Sequence, residues 1–151
     1  MSTYSPCKNC GALNRVSVES VQRQRAVCSR CKSPLPLEGL INHVDGQGLK
    51  LLIERSPLPV IVDFWADWCA PCKMFAPIFA ETAQTLAGEA VFAKLDTEGD
   101  PSAAAQYSVR SIPTVIYFSK GQEQGRHSGA MLKPAFIDWI RSHGIESEVR
   151  H

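Results

Sequence analysis

Between Val60 and Trp65 the chain reads Val-Ile-Val-Asp-Phe-Trp, a nearly continuous β-branched and aromatic run broken by one acid. Such a run fits a strand buried on both faces of a parallel or mixed sheet. From Cys69 to about Leu86 the period changes: Met74, Phe75, Ile78, Phe79 and Leu86 recur at three- and four-residue intervals. That spacing predicts a helix with Pro71 in its first turn and a kink at Pro77. A second strand is expected over 90–95, and Asp100-Pro101 is a cap-plus-proline signal for a short helix through Gln106. Thr114 to Phe118 and a more polar segment over 124–128 flank a Lys120-Gly121 turn and read as a hairpin. The last helix runs from Pro134 to His143, with Phe136, Ile137 and Ile140 on one face and Gly144 as its stop. Upstream, Asp45 is placed to cap a short helix over 49–53, which Ser56-Pro57-Leu58-Pro59 ends, and a short strand is expected near Leu40-Ile41. The order α-β-α-β-α-β-β-α implies an α/β fold, a sheet covered by helices.

Ahead of that pattern, Lys32-Ser33-Pro34-Leu35-Pro36 is proline-punctuated and predicts a boundary near Pro36, with a small module over 1–36 and a domain over 37–151. The module has too few apolar residues for a core of its own, Val16, Val18 and Ala26-Val27 suggesting short strands at best. Charge divides the chain at the same place. Residues 1–35 carry six basic side chains and one acid, whereas residues 36–151 carry ten basic and fourteen acidic ones. The whole has a formal net charge of +1, which argues against a partner nucleic acid held by bulk positive charge. Its start, Met-Ser-Thr-Tyr-Ser-Pro, has no apolar leader, and no stretch approaches the roughly 18 apolar residues of a membrane helix. A soluble, cytoplasmic protein is expected, with no membrane or nucleic-acid partner.

All six cysteines fall in C-x-x-C pairs: Cys7/Cys10, Cys28/Cys31 and Cys69/Cys72. The first two pairs, separated by seventeen residues, match the spacing of four-thiolate zinc sites of the ribbon or knuckle kind. Four thiolates leave no open coordination position, so one structural Zn²⁺ per chain is the expectation. Two disulfides or a four-thiolate iron site are the alternatives. Gly11 after Cys10 suits the tight turn of a knuckle, and Lys32 occupies the same place after Cys31.

The third pair lies in Trp68-Cys69-Ala70-Pro71-Cys72, at the junction of a buried strand and a helix N-terminus. There the unsatisfied N–H groups and the positive end of the dipole lower the pKa of Cys69. Cys72, three residues on, falls on the same helix face within disulfide reach and is expected to be the less exposed of the two. Val62-Asp63-Phe64-Trp65-Ala66-Asp67-Trp68-Cys69-Ala70-Pro71-Cys72-Lys73, Ala93-Lys94-Leu95-Asp96, Ile112-Pro113-Thr114 and Ser128-Gly129-Ala130 together resemble the thioredoxin family over about residues 38–146. With a four-cysteine module in front, the whole chain is similar to its bacterial thioredoxin 2 branch.

The resemblance implies a thioredoxin fold, a mixed sheet with helices on both faces. It implies that Cys69 is the nucleophile and Cys72 the resolving thiol in reducing protein disulfides. Asp63 would be a buried acid passing protons to and from Cys72, and Lys94 would pair with it across neighbouring strands. On the residues alone, Asp63 facing solvent from an edge strand is the lesser alternative, given the apolar run around it, and Lys94 could be merely solvated. Pro113 would have a cis peptide bond, with Ile112 and Thr114 offering backbone groups to an extended substrate. Trp68, Ala70 and Pro71 would belong to the docking surface, Trp65 would pack beneath it, and Gly129 would let the substrate backbone approach. Oxidised proteins and a flavin- and NADPH-dependent thioredoxin reductase are the implied partners. Ala70 departs from the glycine usual in the family, and the dipeptide between the cysteines tunes the couple's potential. A disulfide oxidase or isomerase, a redox-regulated zinc-containing holdase or adaptor, and a redox sensor that releases zinc are competing readings. His43, His127 and His143 have no ligand partners at metal spacing and are expected on the surface.

Overall fold

A computed structural model of the protein describes residues 1–23 and 26–144 of the chain. Residues 145–151, the end of the expected domain, lie outside the described residues. The central sheet follows from the apolar runs. β5 (Val60–Trp65) sits between β6 (Val91–Asp96), to which it is parallel, and β7 (Thr114–Ser119), to which it is antiparallel. β8 (Gln122–Ser128) pairs antiparallel with β7 through the tight turn at Lys120 and Gly121, whose φ values of 54° and 81° lie in the left-handed region. On the other side β4 (Ile41–His43) runs parallel to β6, and β3 (Leu37–Glu38) closes the edge, giving the order β3-β4-β6-β5-β7-β8. The sheet is mixed, as the family resemblance implies and as one of the two arrangements the apolar run allows.

Alternation along β5 divides its side chains between two layers. Val60, Val62 and Phe64 join Leu49 and Leu52 of α2 (Gly46–Arg55) and Ala103 of α4 (Pro101–Gln106). Ile61, with Phe92, Val115 and Tyr117 of the neighbouring strands, packs on Phe75 and Phe79 of α3 (Ala70–Thr85) and on Phe136 and Ile140 of α5 (Lys133–Arg141). Rings of Phe75, Phe79, Phe92 and Phe136 contact one another at centroid distances of 5.1–5.9 Å. Asp45 caps α2 by accepting from Gly48 N at 2.9 Å, and the helix is longer than the apolar triplet predicts because polar Gly46-Gln47-Gly48 fills its first turn.

The N-terminal module differs from expectation. It contains a hairpin of β1 (Ser2–Pro6) and β2 (Leu13–Ser17) and a helix α1 (Val18–Gln22), with Ser17 as N-cap. Val18 is therefore helical, and Val27 forms only a single bridge to Pro34. β1 escapes the apolar pattern because the residues it buries include Thr3 and Ser5. Nor does the module stand apart. Val16, Val18, Val21 and Leu35 belong to the same packed cluster as Phe75, Phe79 and Leu86, while Tyr4 and Leu13 pack on the opposite layer. Asn42 of β4, fully buried, donates from Nδ2 to Tyr4 O at 2.9 Å and ties the hairpin to the sheet edge. The hydrophobic surface that the module lacks by itself is supplied by the domain. The histidines also sit closer in than expected: His43 pairs with Glu38 at 2.8 Å, and the half-buried His143 ring lies 4.9 Å from Trp139 and 5.3 Å from Tyr117.

Candidate redox site and candidate metal centre

The β5–α3 connection places the third cysteine pair. Cys69 is the N-cap of α3, its backbone extended (φ −89°, ψ 109°) and its Sγ accepting from Cys72 N at 3.2 Å. Pro71 occupies the first turn, where a missing N–H costs nothing. Cys69 and Cys72 form a disulfide with Cα atoms 5.2 Å apart. Each cysteine is only 3% exposed, so the expected difference in residue exposure is absent in this oxidised form. The asymmetry lies instead in what they face. A cleft of about 390 Å³ is bordered by Cys69, together with Trp68, Ala70 and Pro71, whereas Cys72 does not line it. Trp68 stands 69% exposed beside the disulfide.

The opposite wall of the cleft is the segment before β7. Ile112 O lies 3.7 Å from Cys69 Sγ, and the Ile112–Pro113 peptide bond is cis. Thr114, buried, donates from Oγ1 to Ser111 O at 2.6 Å and lies 3.2 Å from Ser128 Oγ. Gly129 donates its N–H to Pro113 O at 2.8 Å, with φ at 102°, a conformation that strains any L side chain. A Cβ at this glycine would meet nothing within 4 Å, so the space beside it is open. The cleft also draws on Thr97, Val109, Arg110 and Ser111, which the sequence reading did not single out. Their position just before Ile112-Pro113 was the available signal for the last three.

Asp63 lies on the α3 side of β5, one register row deep, between Lys94 of β6 and Val115 of β7. It is fully buried, and among the described residues neither carboxylate oxygen has a hydrogen-bond partner. Burial pushes its pKa up from 3.8 to about 7, with the Lys94 charge pulling the other way. The ammonium of Lys94 itself lies over the Trp65 ring, 4.8 Å from its centroid, a cation–π placement. The two residues thus share a register row and a charge neighbourhood, and among the described residues they form no direct ion pair.

Each of the other two cysteine pairs sits at the tip of a tight turn. Gly11 N donates to Cys7 O and Lys32 N to Cys28 O, both at 2.9 Å, and Gly11 and Lys32 have matching left-handed φ values of 76° and 68°. Lysine therefore adopts the glycine conformation in the second turn. All four Sγ atoms lie within 4.8 Å of one another, the nearest pairs being Cys7–Cys31 and Cys10–Cys28 at 3.6 Å. A tetrahedral zinc with Zn–S bonds of about 2.3 Å needs sulfurs about 3.8 Å apart, which this spacing fits. The Asn9 amide, 3.4 Å from Cys31 Sγ, is the leading cause that pulls the Cys31 thiol down to about 5. Cys10 is pushed up to about 11, its hydrogen bond to the Ala12 backbone being outweighed by burial and by the three sulfurs around it. Four such sulfurs become thiolates together only with a cation among them.

Comparison with known proteins agrees with this geometry. The thioredoxin family profile matches residues 41–142. Thioredoxin C-3 of Corynebacterium nephridii is 42% identical over 135 residues, 89% of this chain and 90% of that protein. That match leaves at most 16 residues of the chain outside and so reaches into the N-terminal module. Thioredoxin of Rickettsia felis is 38% identical over 101 residues, covering 67% of this chain and 96% of its own. Thioredoxin M-type, chloroplastic, of Spinacia oleracea is 39% identical over 103 residues, 68% of this chain and 57% of its own.

Proposed function

Because the chain belongs to the thioredoxin family, whose members are thiol–disulfide oxidoreductases, we propose that it is a protein disulfide reductase acting through Cys69 and Cys72. The observation that carries this reading is the placement of Cys69 as helix N-cap at the wall of an open cleft, with Cys72 turned away from it. In the reduced protein the Cys69 thiolate, stabilised by the α3 N-terminus, attacks one sulfur of a substrate disulfide. A Cys69–substrate bond forms and the other substrate sulfur leaves as a thiolate that takes up a proton. The Cys72 thiol then gives its proton to Asp63 and attacks Cys69 Sγ, releasing the second substrate thiol. Two electrons have passed to the substrate, and the Cys69–Cys72 disulfide remains. An acid with a pKa of about 7 exchanges that proton readily near neutral pH. Ile112 and Thr114 offer backbone groups beside the cleft, and Trp68 offers an exposed apolar ring.

Regeneration by a flavin- and NADPH-dependent thioredoxin reductase, and a cytoplasmic address that keeps such a reductant supplied, belong to the same proposal. So does membership of the bacterial thioredoxin 2 branch, supported by the four-sulfur cluster and by the reach of the Corynebacterium match. Cys7, Cys10, Cys28 and Cys31 would hold one Zn²⁺, whose contribution is structural: it neutralises and fixes the four sulfurs. Among the described residues, no helix is long and apolar enough to cross a membrane.

Insulin reduction tests the reading. Cys69→Ser is expected to abolish it and Cys72→Ser to accumulate mixed disulfides; full activity of the Cys69 variant would overturn the assignment. The potential of the couple fixes the direction. A value near roughly −270 mV supports a reductase, and one above about −200 mV points to an oxidant or isomerase.

A further inference from the structure

Among the described residues, Arg110 is the single ionic side chain lining the cleft that Cys69 borders. The rest of that wall is apolar or neutral, Trp68, Pro71 and Ile112 on one hand and Thr97 and Ser111 on the other. Arg110 is exposed, and among the described residues no hydrogen bond or ion pair engages its guanidinium. The nearby arginine is different in kind. Arg126 is held by Glu123 at 2.6 Å and donates to Tyr107 O and Ser108 O at 2.8 and 3.2 Å, so its donors are committed to the fold. The other ionic residues next to the cleft in sequence, Asp67, Lys73, Asp96 and Glu98, do not line it.

Distance along the chain fixes where the charge would be read. Arg110 is two residues from Ile112, whose carbonyl lies 3.7 Å from Cys69 Sγ. Two residues span at most about 7 Å even when fully extended, and an arginine side chain reaches about as far again, so a substrate group a few residues from the sulfur under attack is within reach of the guanidinium. An unpartnered guanidinium presents a planar fork of donors that matches a carboxylate. We propose that Arg110 is a specificity-determining residue, favouring disulfides whose cysteine has an Asp or Glu within about two to four residues. The inference rests on the reductase reading and adds a substrate class to it: acidic segments in extended conformation.

The test uses the reduced full-length protein and three synthetic cyclic disulfide peptides that differ only in carrying Glu, Gln or Lys flanking the cysteine. Second-order rate constants for their reduction are measured by rapid acid quench and chromatography, at low and high salt. At low salt the wild type is expected to prefer the Glu peptide over the Lys peptide by about fivefold, the effect of one attractive and one repulsive exposed pair. High salt should compress that ratio. In Arg110→Glu the order should be lost or inverted. Because each ratio is internal to one protein, a general loss of activity does not mimic the effect. Equal rates for the three peptides in the wild type, or an unchanged order in Arg110→Glu, would overturn the proposal and leave the reductase reading standing. Failure to reduce even the Gln peptide would overturn the reductase reading itself.

Discussion

Replacing Asp63 by Asn isolates the energetic cost of the buried acid. Among the described residues the carboxyl has no hydrogen-bond partner and no direct counter-ion, and burial raises its pKa from 3.8 to about 7. Between those values the folded protein holds a proton that the unfolded chain has released, so stability falls as pH rises through this window. Above pH 7 the full penalty is present; at 1.36 kcal/mol per pKa unit it comes to roughly 4 kcal/mol. Asn has the same shape and no charge. Asp63→Asn should therefore stabilise the oxidised protein by up to roughly 4 kcal/mol at pH 8.5 and by close to nothing near pH 4. Urea unfolding of both proteins at the two pH values is the assay. With m of roughly 2 kcal/mol/M, even a quarter of the effect moves the midpoint by about 0.5 M. Every other titrating group cancels in the wild-type-minus-variant difference. A stability gap of equal size at both pH values, or a variant less stable than wild type at pH 8.5, would refute the reasoning.

Trp68, 69% exposed, supports little of the fold, so Trp68→Ala should change stability by no more than about 0.5 kcal/mol while lowering kcat/KM for insulin. Unchanged kcat/KM would remove Trp68 from the docking surface. Elemental analysis should find one zinc per chain. Stripping it with a chelator should lower Tm in a single transition, because Val16, Val18 and Val21 share a core with Phe75 and Phe79; two separate transitions would show that the module unfolds alone. Asn42→Ala removes a buried hydrogen bond to Tyr4 O and should cost about 1–3 kcal/mol without altering the Cys69–Cys72 potential; an altered potential would place Asn42 in the redox machinery.

The domain after Pro36 was legible because its periods are strong. β5 and α3 begin within a residue of where the apolar runs place them, and Asp100 caps α4 as its sequence implies, accepting from Ala103 N at 3.2 Å. The C-x-x-C spacing brought Cys69 and Cys72 into view and the family resemblance Ile112, Pro113 and Gly129, and the fold sets Cys69 and Ile112 beside one disulfide, next to the cis Pro113. What spacing could not supply is orientation. That Lys94 turns its ammonium onto Trp65 depends on a side-chain torsion, and that Cys69 borders the cleft depends on the long-range approach of the 109–112 segment. Arg110 was invisible for the same reason: an exposed arginine in a polar stretch carries no pattern until the cleft beside it exists.

The N-terminal module was the least legible part, and its chemistry explains why. Its four cysteines have the spacing of a metal site, yet Thr3, Ser5 and Asn14, all buried, would each be read from sequence as surface. Asn14 is inside because its Oδ1 accepts from Ser29 N at 2.9 Å, beside Cys28, while Thr3 and Ser5 flank Tyr4, whose carbonyl accepts from Asn42 of β4. The hairpin meets that end of the sheet through Tyr4 O, which accepts from the Asn42 side chain, and through Val16, which joins the core. A cation closing the four sulfurs would fix the turn end of that hairpin, where Cys7 and Cys10 lie between β1 and β2. The module thus gains a core from the domain while the domain gains a protected edge, so metal loss should be felt as destabilisation of the sheet beginning at β4 rather than as release of an independent appendage.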